Sequence, residues 1–560
     1  PSSALAFGVN AHLATRYPDP SSMQRPAALL SELGVSWVRE DFHWYRVQPR
    51  PGEWDWTFND AAVHELDRRD IAILGVIGGP SAPWATPFPG DSHQRASFYA
   101  PDPEAFVTFA QAVVSRYHQT IHHWEIWNEP DNPLFWKPHP DPLAYARLLI
   151  RTSAAIKAVD PEATVLIGGF NPFDLWFVRE VLRAGAWSSF DLFAIHPYVD
   201  PTGPEAGNLT AAADGVRALA APYGSKPIWA TEIGWSSGPG DHDPLGVVDE
   251  QQQARFLVRA LLLLREAGVE RSFWYTFKDD PDNPYGLVRY GTGRADYTER
   301  KPAFTAFQML NHQLDGASFI ERQDLSGYAT VLEFDGEERW HRPVQPNGTL
   351  RSSGVGTARL DYHFSTRGND YVAFELLQPQ PIALAREDQP RALGVWVYGD
   401  GSGHRLNAWV RDSEGETLQL HLGVVGAPGW RFLSVPLMSP IRASDRIAGE
   451  GNGQLDFPVA LAAVVLDDCC DTEMGVGTVY LDRLTAITGP ERFHLRFWRG
   501  GDLLEVLWSL HGGRVSLPTT AARGHLAACD GSEEPVTASK GRFSLMTGPA
   551  PLFVRHRVSP

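Results

Sequence analysis

The chain has 560 residues and a formal net charge of −18. At roughly 150 residues per domain, its length suggests about three or four domains. The acidic balance excludes a nucleic-acid partner, which calls for clustered Lys and Arg. No run of eighteen apolar residues suggests a membrane span. A hydrophobic fraction of 43% and a charged fraction of 21% allow a sizeable core. The cysteines are Cys469, Cys470 and Cys529; three cannot build a disulfide framework, and the adjacent pair is poorly placed to bridge to itself. The chain opens on Pro1-Ser2-Ser3 without a charged, apolar leader. The expectation is a trimmed or mature form, secreted or periplasmic. Nothing in the sequence speaks to oligomeric state.

From residue 6 to 313 short apolar runs alternate with amphipathic stretches. Strands are predicted at 6–13, 35–41, 71–78, 121–127, 163–169, 191–197, 227–233 and 270–277. Asp102-Pro103-Glu104 and Asp141-Pro142 each read as an N-cap followed by a first-turn proline. The stretch 250–267 is apolar at Phe256, Leu257, Ala260, Leu261 and Leu264, at helical spacing, and stops before Gly268. Eight strand–helix pairs imply parallel strands with crossover helices, and the count favours a closed (β/α)8 TIM barrel over an open sheet. No GxGxxG follows the first strand, which argues against dinucleotide binding. No cofactor is expected.

After residue 316 helical periodicity gives way to short alternating segments and frequent Gly, the pattern of β-sandwich domains. Strands are expected at 358–364, 371–376, 393–398, 405–411 and 431–436, with 399–403 read as a hairpin turn. That hairpin would gather Trp396, Tyr398 and Trp409 into one aromatic patch. The segment 316–326 runs naturally into 491–508 as successive strands. The expected organisation is therefore a barrel over 1–315, a small discontinuous β domain from 316–329 plus 489–560, and a sandwich inserted at 330–488. Asp467, Asp468 and Asp471 could form a structural calcium site or a solvated loop. His122-His123 lacks metal-motif spacing, and no catalytic metal is expected.

In barrels of this kind active sites sit at the C-terminal ends of the strands. The fourth predicted strand ends Trp127-Asn128-Glu129-Pro130 and the seventh ends Thr231-Glu232-Ile233. Cleavage of a glycosidic bond needs two carboxyl groups, one to protonate the leaving oxygen and one on the opposite face of the ring. Nineteen Trp residues add flat apolar faces suited to sugar rings or to a core. The residues leave a glycosidase, a transglycosylase and a non-catalytic carbohydrate-binding barrel open. The expected partner in each case is an oligo- or polysaccharide.

The motifs Trp127-Asn128-Glu129-Pro130 and Thr231-Glu232 resemble clan A of the glycoside hydrolases over about residues 6–313. Together with Ile195-His196-Pro197-Tyr198 they are most similar to glycoside hydrolase family 39, which includes β-xylosidases, iduronidases and exopolysaccharide-cleaving enzymes. The resemblance implies a retaining enzyme for β-type bonds, with Glu129 as acid/base and Glu232 as nucleophile. It also implies that Arg39 holds Glu232 ionised, and that Asn128 bonds a sugar 2-hydroxyl. His196 and Tyr198 would flank the nucleophile, and Trp274 would form the aromatic floor. His12, Trp44, Trp84 and Trp235, near strand ends, are further candidate substrate contacts. The competing structural readings are a rim salt bridge for Arg39, a turn for Asn128 and core packing for the aromatics. Gly286-Leu287 and Lys301-Pro302 resemble the clan's structural loop and helix after the eighth strand. The sandwich resembles jelly-roll carbohydrate-binding modules.

Overall fold

The structure is a computed structural model. It describes residues 7–17, 19–86, 97–205, 207, 209–240, 246–324, 327–354, 356–366, 369–382, 390–426, 428–438, 441–468, 475–488, 492–510 and 512–557. Cys469, Cys470 and Asp471 lie outside these residues. Cys529 is buried with its thiol free, and burial pushes that thiol up to about 12.

The apolar runs form eight parallel strands: β1 (Phe7–Asn10), β2 (Trp37–Phe42), β3 (Ala72–Ile77), β4 (His123–Asn128), β5 (Thr164–Gly169), β6 (Phe193–Ile195), β7 (Ile228–Ile233) and β8 (Arg271–Trp274). They pair in the order β5-β4-β3-β2-β1-β8-β7-β6. Parallel bridges Leu166–Leu192 and Phe170–Ile195 join β5 to β6 and close the barrel. Strands buried on both faces must be apolar on both. One set of side chains, among them Trp37, Leu74, Leu166, Trp229 and Phe273, fills the lumen. The alternate set packs outward against the helices. The N-caps form where the sequence places them. The Asp102 carboxylate accepts from the Ala105 amide, and that of Asp141 from the Ala144 amide, both at 2.9 Å. Asp249 does the same for the helix Glu250–Glu266, which ends before Gly268 in the left-handed region. Each cap satisfies one of the orphan amides of a helix start.

After the barrel helix Pro302–Leu314, β9 (Ala317–Asp324) pairs antiparallel with Arg492–Arg499, from Ala317 opposite Arg499 to Asp324 opposite Phe493, with one register shift between Arg496 and Phe497. β9 is thus the edge of a six-stranded sheet whose other members all lie between 492 and 557. The next strand, β10 (Gly327–Leu332), joins a different sheet through Gly475–Thr488. Residues 327–488 form two antiparallel sheets facing each other across an apolar core that includes Leu360, Phe374, Leu406, Leu420 and Leu481.

The hairpin expected at 399–403 does not form. Ala392–Tyr398 belongs to one sheet and Arg405–Arg411 to the other. The glycine-rich link crosses the sandwich edge, held by bonds from the Gly401 amide to the Gly426 carbonyl (2.8 Å) and from the Gly403 amide to the Val425 carbonyl (3.0 Å). The expected patch therefore splits. Trp396 and Tyr398 are exposed beside Phe432 and Trp430, while Trp409 faces out from the opposite sheet and donates to Gln419.

The small sheet shares the barrel's apolar core through Phe493, Leu495, Trp508 and Phe553, and polar contacts add to the attachment. Glu205, in the loop after β6, takes a buried ion pair from Arg259 and a 2.9 Å hydrogen bond from the Trp508 indole. Arg442 of the sandwich donates to the Val199 carbonyl at 3.0 Å. No helix among the described residues is long and apolar enough to cross a membrane. Because Asp324 and Phe493 are paired neighbours, a chain in which 325–492 is replaced by Asn-Gly should close a two-residue hairpin there. We expect that shortened protein to unfold cooperatively in a circular-dichroism melt; loss of the cooperative transition would show that the barrel and small sheet do not fold without the residues between them.

Candidate active site

A cavity of about 700 Å³ opens at the C-terminal ends of the barrel strands, with Arg39, Asn128, Glu129, Tyr198 and Glu232 in its wall. Its organising group is Arg39, from the middle of β2 and 1% exposed. Its guanidinium forks onto Glu125 of β4 with two bonds of 2.9 Å. One remaining edge donates to Glu232 of β7 at 2.6 Å and to Asn10 of β1 at 3.0 Å. The other donates to the Asn128 carbonyl at 2.7 Å. Four strands are thus referenced to one rigid cation. A fork of this kind fixes direction as well as charge.

Burial alone would push the Glu232 carboxyl up. His196 and Arg39, with the Tyr198 hydroxyl donating at 2.9 Å, outweigh it and hold the group below its ordinary 4.5. The Tyr198 phenol is held well above its ordinary range by burial and by Glu232, so it stays a donor. Glu129 follows β4 with φ at +46°, and Trp127 two residues earlier has φ at +73°. Non-glycine residues in this region are uncommon, and such strain is often found at functional sites. Here it turns Glu129 into the cavity, where it accepts from His196 Nδ1 and from the Asn132 amide, both at 2.8 Å. His196 also sits 3.1 Å from the Thr231 hydroxyl. Burial lowers the imidazole's affinity for a proton, but Glu232 and Glu129 reverse this and hold it above its ordinary 6.5. Next to Glu129, burial pushes the Asp131 carboxyl up to about 7 against the bond it accepts from the Asn171 amide.

A carboxylate oxygen of Glu129, one of Glu232 and a ring nitrogen of His196 all lie within 4.8 Å of one another. Among the described residues this trio also has metal-ligand spacing. Its carboxyl oxygens are already engaged by Arg39, Tyr198 and Asn132. Gly169 makes the arrangement possible, because a Cβ there would fall 2.0 Å from His196 Nε2.

His12 lines the same cavity. It sits in the left-handed region with Nδ1 2.6 Å from Asp41, and its Nε2 is buried without a partner. The other aromatic candidates are corrected by strand alternation. Phe273 points into the barrel lumen, so Trp274 points out to the helices, where it stacks with Trp235 and donates to the Tyr285 carbonyl. Tyr275 takes the place expected for Trp274 in the wall. Trp44 and Trp235 are fully buried core residues, and Trp84 is tied to the Gln48 carbonyl; none of the three reaches the wall. The sequence reading also missed Glu125, Asn10, His43, Tyr45 and Asn132. For Glu125 and Asn10 a signal was present: each is a polar residue inside an apolar strand. The loop after β8 is held to the helix that follows it, and its Asn283 lines the cavity. Lys301 donates to Asp279 at 2.7 Å, and a Cβ on Gly286 would strike the Asp279 amide.

Residues 102–289 match the family model described as a glycosyl hydrolase catalytic core. That segment holds Glu129, His196, Tyr198 and Glu232. No curated protein matches the chain by sequence. Among solved structures, a family 39 glycoside hydrolase from the gut symbiont Bacteroides cellulosilyticus WH2 is similar in fold, with a TM-score of 0.52 and 18% identity over 98% of this chain and 80% of that one. A monomeric beta-xylosidase from Caulobacter crescentus CB15 aligns at 16% identity over 86% of this chain and 96% of that one, with a TM-score of 0.43. A glucosidase from Croceicoccus marinus aligns at 15% identity over 87% and 97%, with a TM-score of 0.45.

Replacing Arg39 by Met would leave Glu125 and Glu232 buried without their countercharge. The expected cost is about 3–5 kcal/mol in urea unfolding at pH 7; an unchanged midpoint would show that the fork carries no such burden. In Gly169→Ala the imidazole of His196 must move. Activity should fall far more than stability, and the His196 ring signals should shift in NMR spectra.

Proposed function

We propose that the protein is a retaining glycoside hydrolase acting on β-type bonds of an oligo- or polysaccharide. The observation that carries this reading is the spacing of the two carboxyl groups, with oxygens of Glu129 and Glu232 within 4.8 Å. Retaining enzymes have carboxyl groups about 5–5.5 Å apart, whereas inverting enzymes leave about 6.5–9.5 Å for an intervening water.

The two environments assign the roles. Glu232 is kept ionised by Arg39 and aimed by the Tyr198 hydroxyl, so it is the nucleophile. One of its oxygens bonds to the anomeric carbon as the glycosidic C–O bond breaks. The departing oxygen takes a proton from Glu129. A water then attacks the anomeric carbon, Glu129 takes its proton, and the bond to Glu232 breaks. Two inversions give net retention. Asn128 supports this cycle: Arg39 occupies its carbonyl, which leaves the amide NH2 as a donor for a sugar hydroxyl. The unpartnered Nε2 of His12 supports a second contact to the same sugar.

Glu232→Ala should abolish turnover of an aryl glycoside, and azide should restore it with inversion of the anomeric centre. Undiminished turnover would remove Glu232 as nucleophile. Glu129→Ala should lose about 10²–10⁴ in kcat on a substrate with an alkyl leaving group, and much less with an acidic phenol. The depressed carboxyl of Glu232 places the acid limb of kcat/KM below its ordinary 4.5. The stability it contributes is present above its unfolded value and lost as pH falls through the folded value.

A further inference from the structure

A second cavity, of about 240 Å³, lies at the seam between the barrel and the sandwich. It is the size of a single sugar unit rather than of a chain. Its barrel side is formed by Phe173, after β5, and by Tyr198 and Val199, after β6. Its other side is the outer face of the sandwich, with Arg405, Asn407 and Arg442. Tyr198 also lines the larger cavity, so the residue whose hydroxyl holds Glu232 forms a wall common to both.

The polar inventory of this seam is unusual for a packing interface. Asn407 is fully buried; its carbonyl oxygen is 2.9 Å from His421, and its amide nitrogen has no hydrogen-bond partner. A buried amide left unpaired is costly, so such a group calls for a partner. Arg405 and Arg442 have no carboxylate partner among the described residues. Arg442 donates to the Val199 carbonyl and, at 3.4 Å, to the Thr202 hydroxyl. No Asp or Glu lines the cavity, in a chain whose net charge is −18. The acid nearest in the network, Asp445, is engaged by His421 at 3.0 Å. Arg405 faces Asp467 across the strand pair without forming an ion pair to it, and two guanidinium groups beside an unpaired amide donor form a site for an oxyanion carried on a hydroxylated ring.

We propose that the inserted sandwich completes a substrate subsite for a sugar unit bearing a carboxylate, held by Arg405, Arg442 and Asn407, next to the unit that is cleaved. The proposal deepens the glycosidase reading and rests on it. It makes the sandwich part of substrate selection, acting from the far side of Tyr198.

The test uses the full chain carrying Glu232→Gln, which separates binding from turnover. The probes are uronic-acid-bearing oligosaccharides and the same oligosaccharides after reduction of their carboxyl groups. Calorimetry should give tighter binding of the acidic form by about tenfold or more. Adding Arg405→Gln, and separately Asn407→Ala, should shrink that ratio towards one. A variant that merely folds less well would weaken both forms alike and leave the ratio intact. Equal affinity for acidic and reduced probes, or a ratio indifferent to Arg405→Gln, overturns the subsite. Failure of the glycosidase reading would show elsewhere, as absence of turnover of every aryl glycoside by the unmodified protein, with the binding ratio still measurable in the Glu232→Gln chain.

Discussion

A buried arginine is costly unless each of its donors is answered, and the mouth of this barrel is built around answering them. Arg39 reaches β4 through Glu125, β1 through Asn10, β7 through Glu232 and the end of β4 again through Asn128. Each partner is itself held. The Glu125 carboxylate also accepts from the Gly169 amide at 2.9 Å, and the Asn10 amide donates to the Thr231 carbonyl at 3.0 Å. Displacing Glu232 would therefore disturb a network spanning most of the barrel. That network fixes one carboxylate in position and favours its ionised form.

The second carboxyl group is positioned by a different means. Glu129 has no cation of its own fork; it is turned inward by left-handed backbone at Trp127 and at Glu129 itself. The imidazole of His196 meets it because Gly169 offers no side chain in the way. One carboxylate is held by charge, the other by backbone geometry and a shared proton. That asymmetry suits two groups of the same chemical type performing opposite tasks.

Much of this was legible in the sequence, and the part that was not has a common cause. Strand and helix periods, caps and the positions of Glu129 and Glu232 are local signals, and the barrel with its carboxyl pair follows them. Arg39, Asn128, His196 and Tyr198 are brought together around that pair. The failures all concern direction across distance. Trp274 and Tyr275 are neighbours, and only the phase of β8 decides which one meets the cavity. Trp44 and Trp235 sit at strand ends yet face the helical layer. The glycine-rich 399–403 has hairpin composition, but the sheets on either side of it decide that it crosses between them. Glu125 was passed over because its role exists only through Arg39, far away in the chain.

The placement of the sandwich follows from the same economy of short connections. β9 and Arg492–Arg499 are hydrogen-bonded neighbours, so a chain leaving one and returning to the other starts and ends at nearly the same point. An insertion there imposes little closure entropy on the small sheet, because that cost grows only slowly with loop length. The point of insertion then governs what the sandwich touches. It lies against the loops after β5 and β6, the side of the barrel mouth from which Tyr198 and His196 project. A domain held at that position meets the barrel mouth at Tyr198, the residue whose hydroxyl bonds Glu232, so the insertion point alone brings the sandwich to the edge of the carboxyl pair.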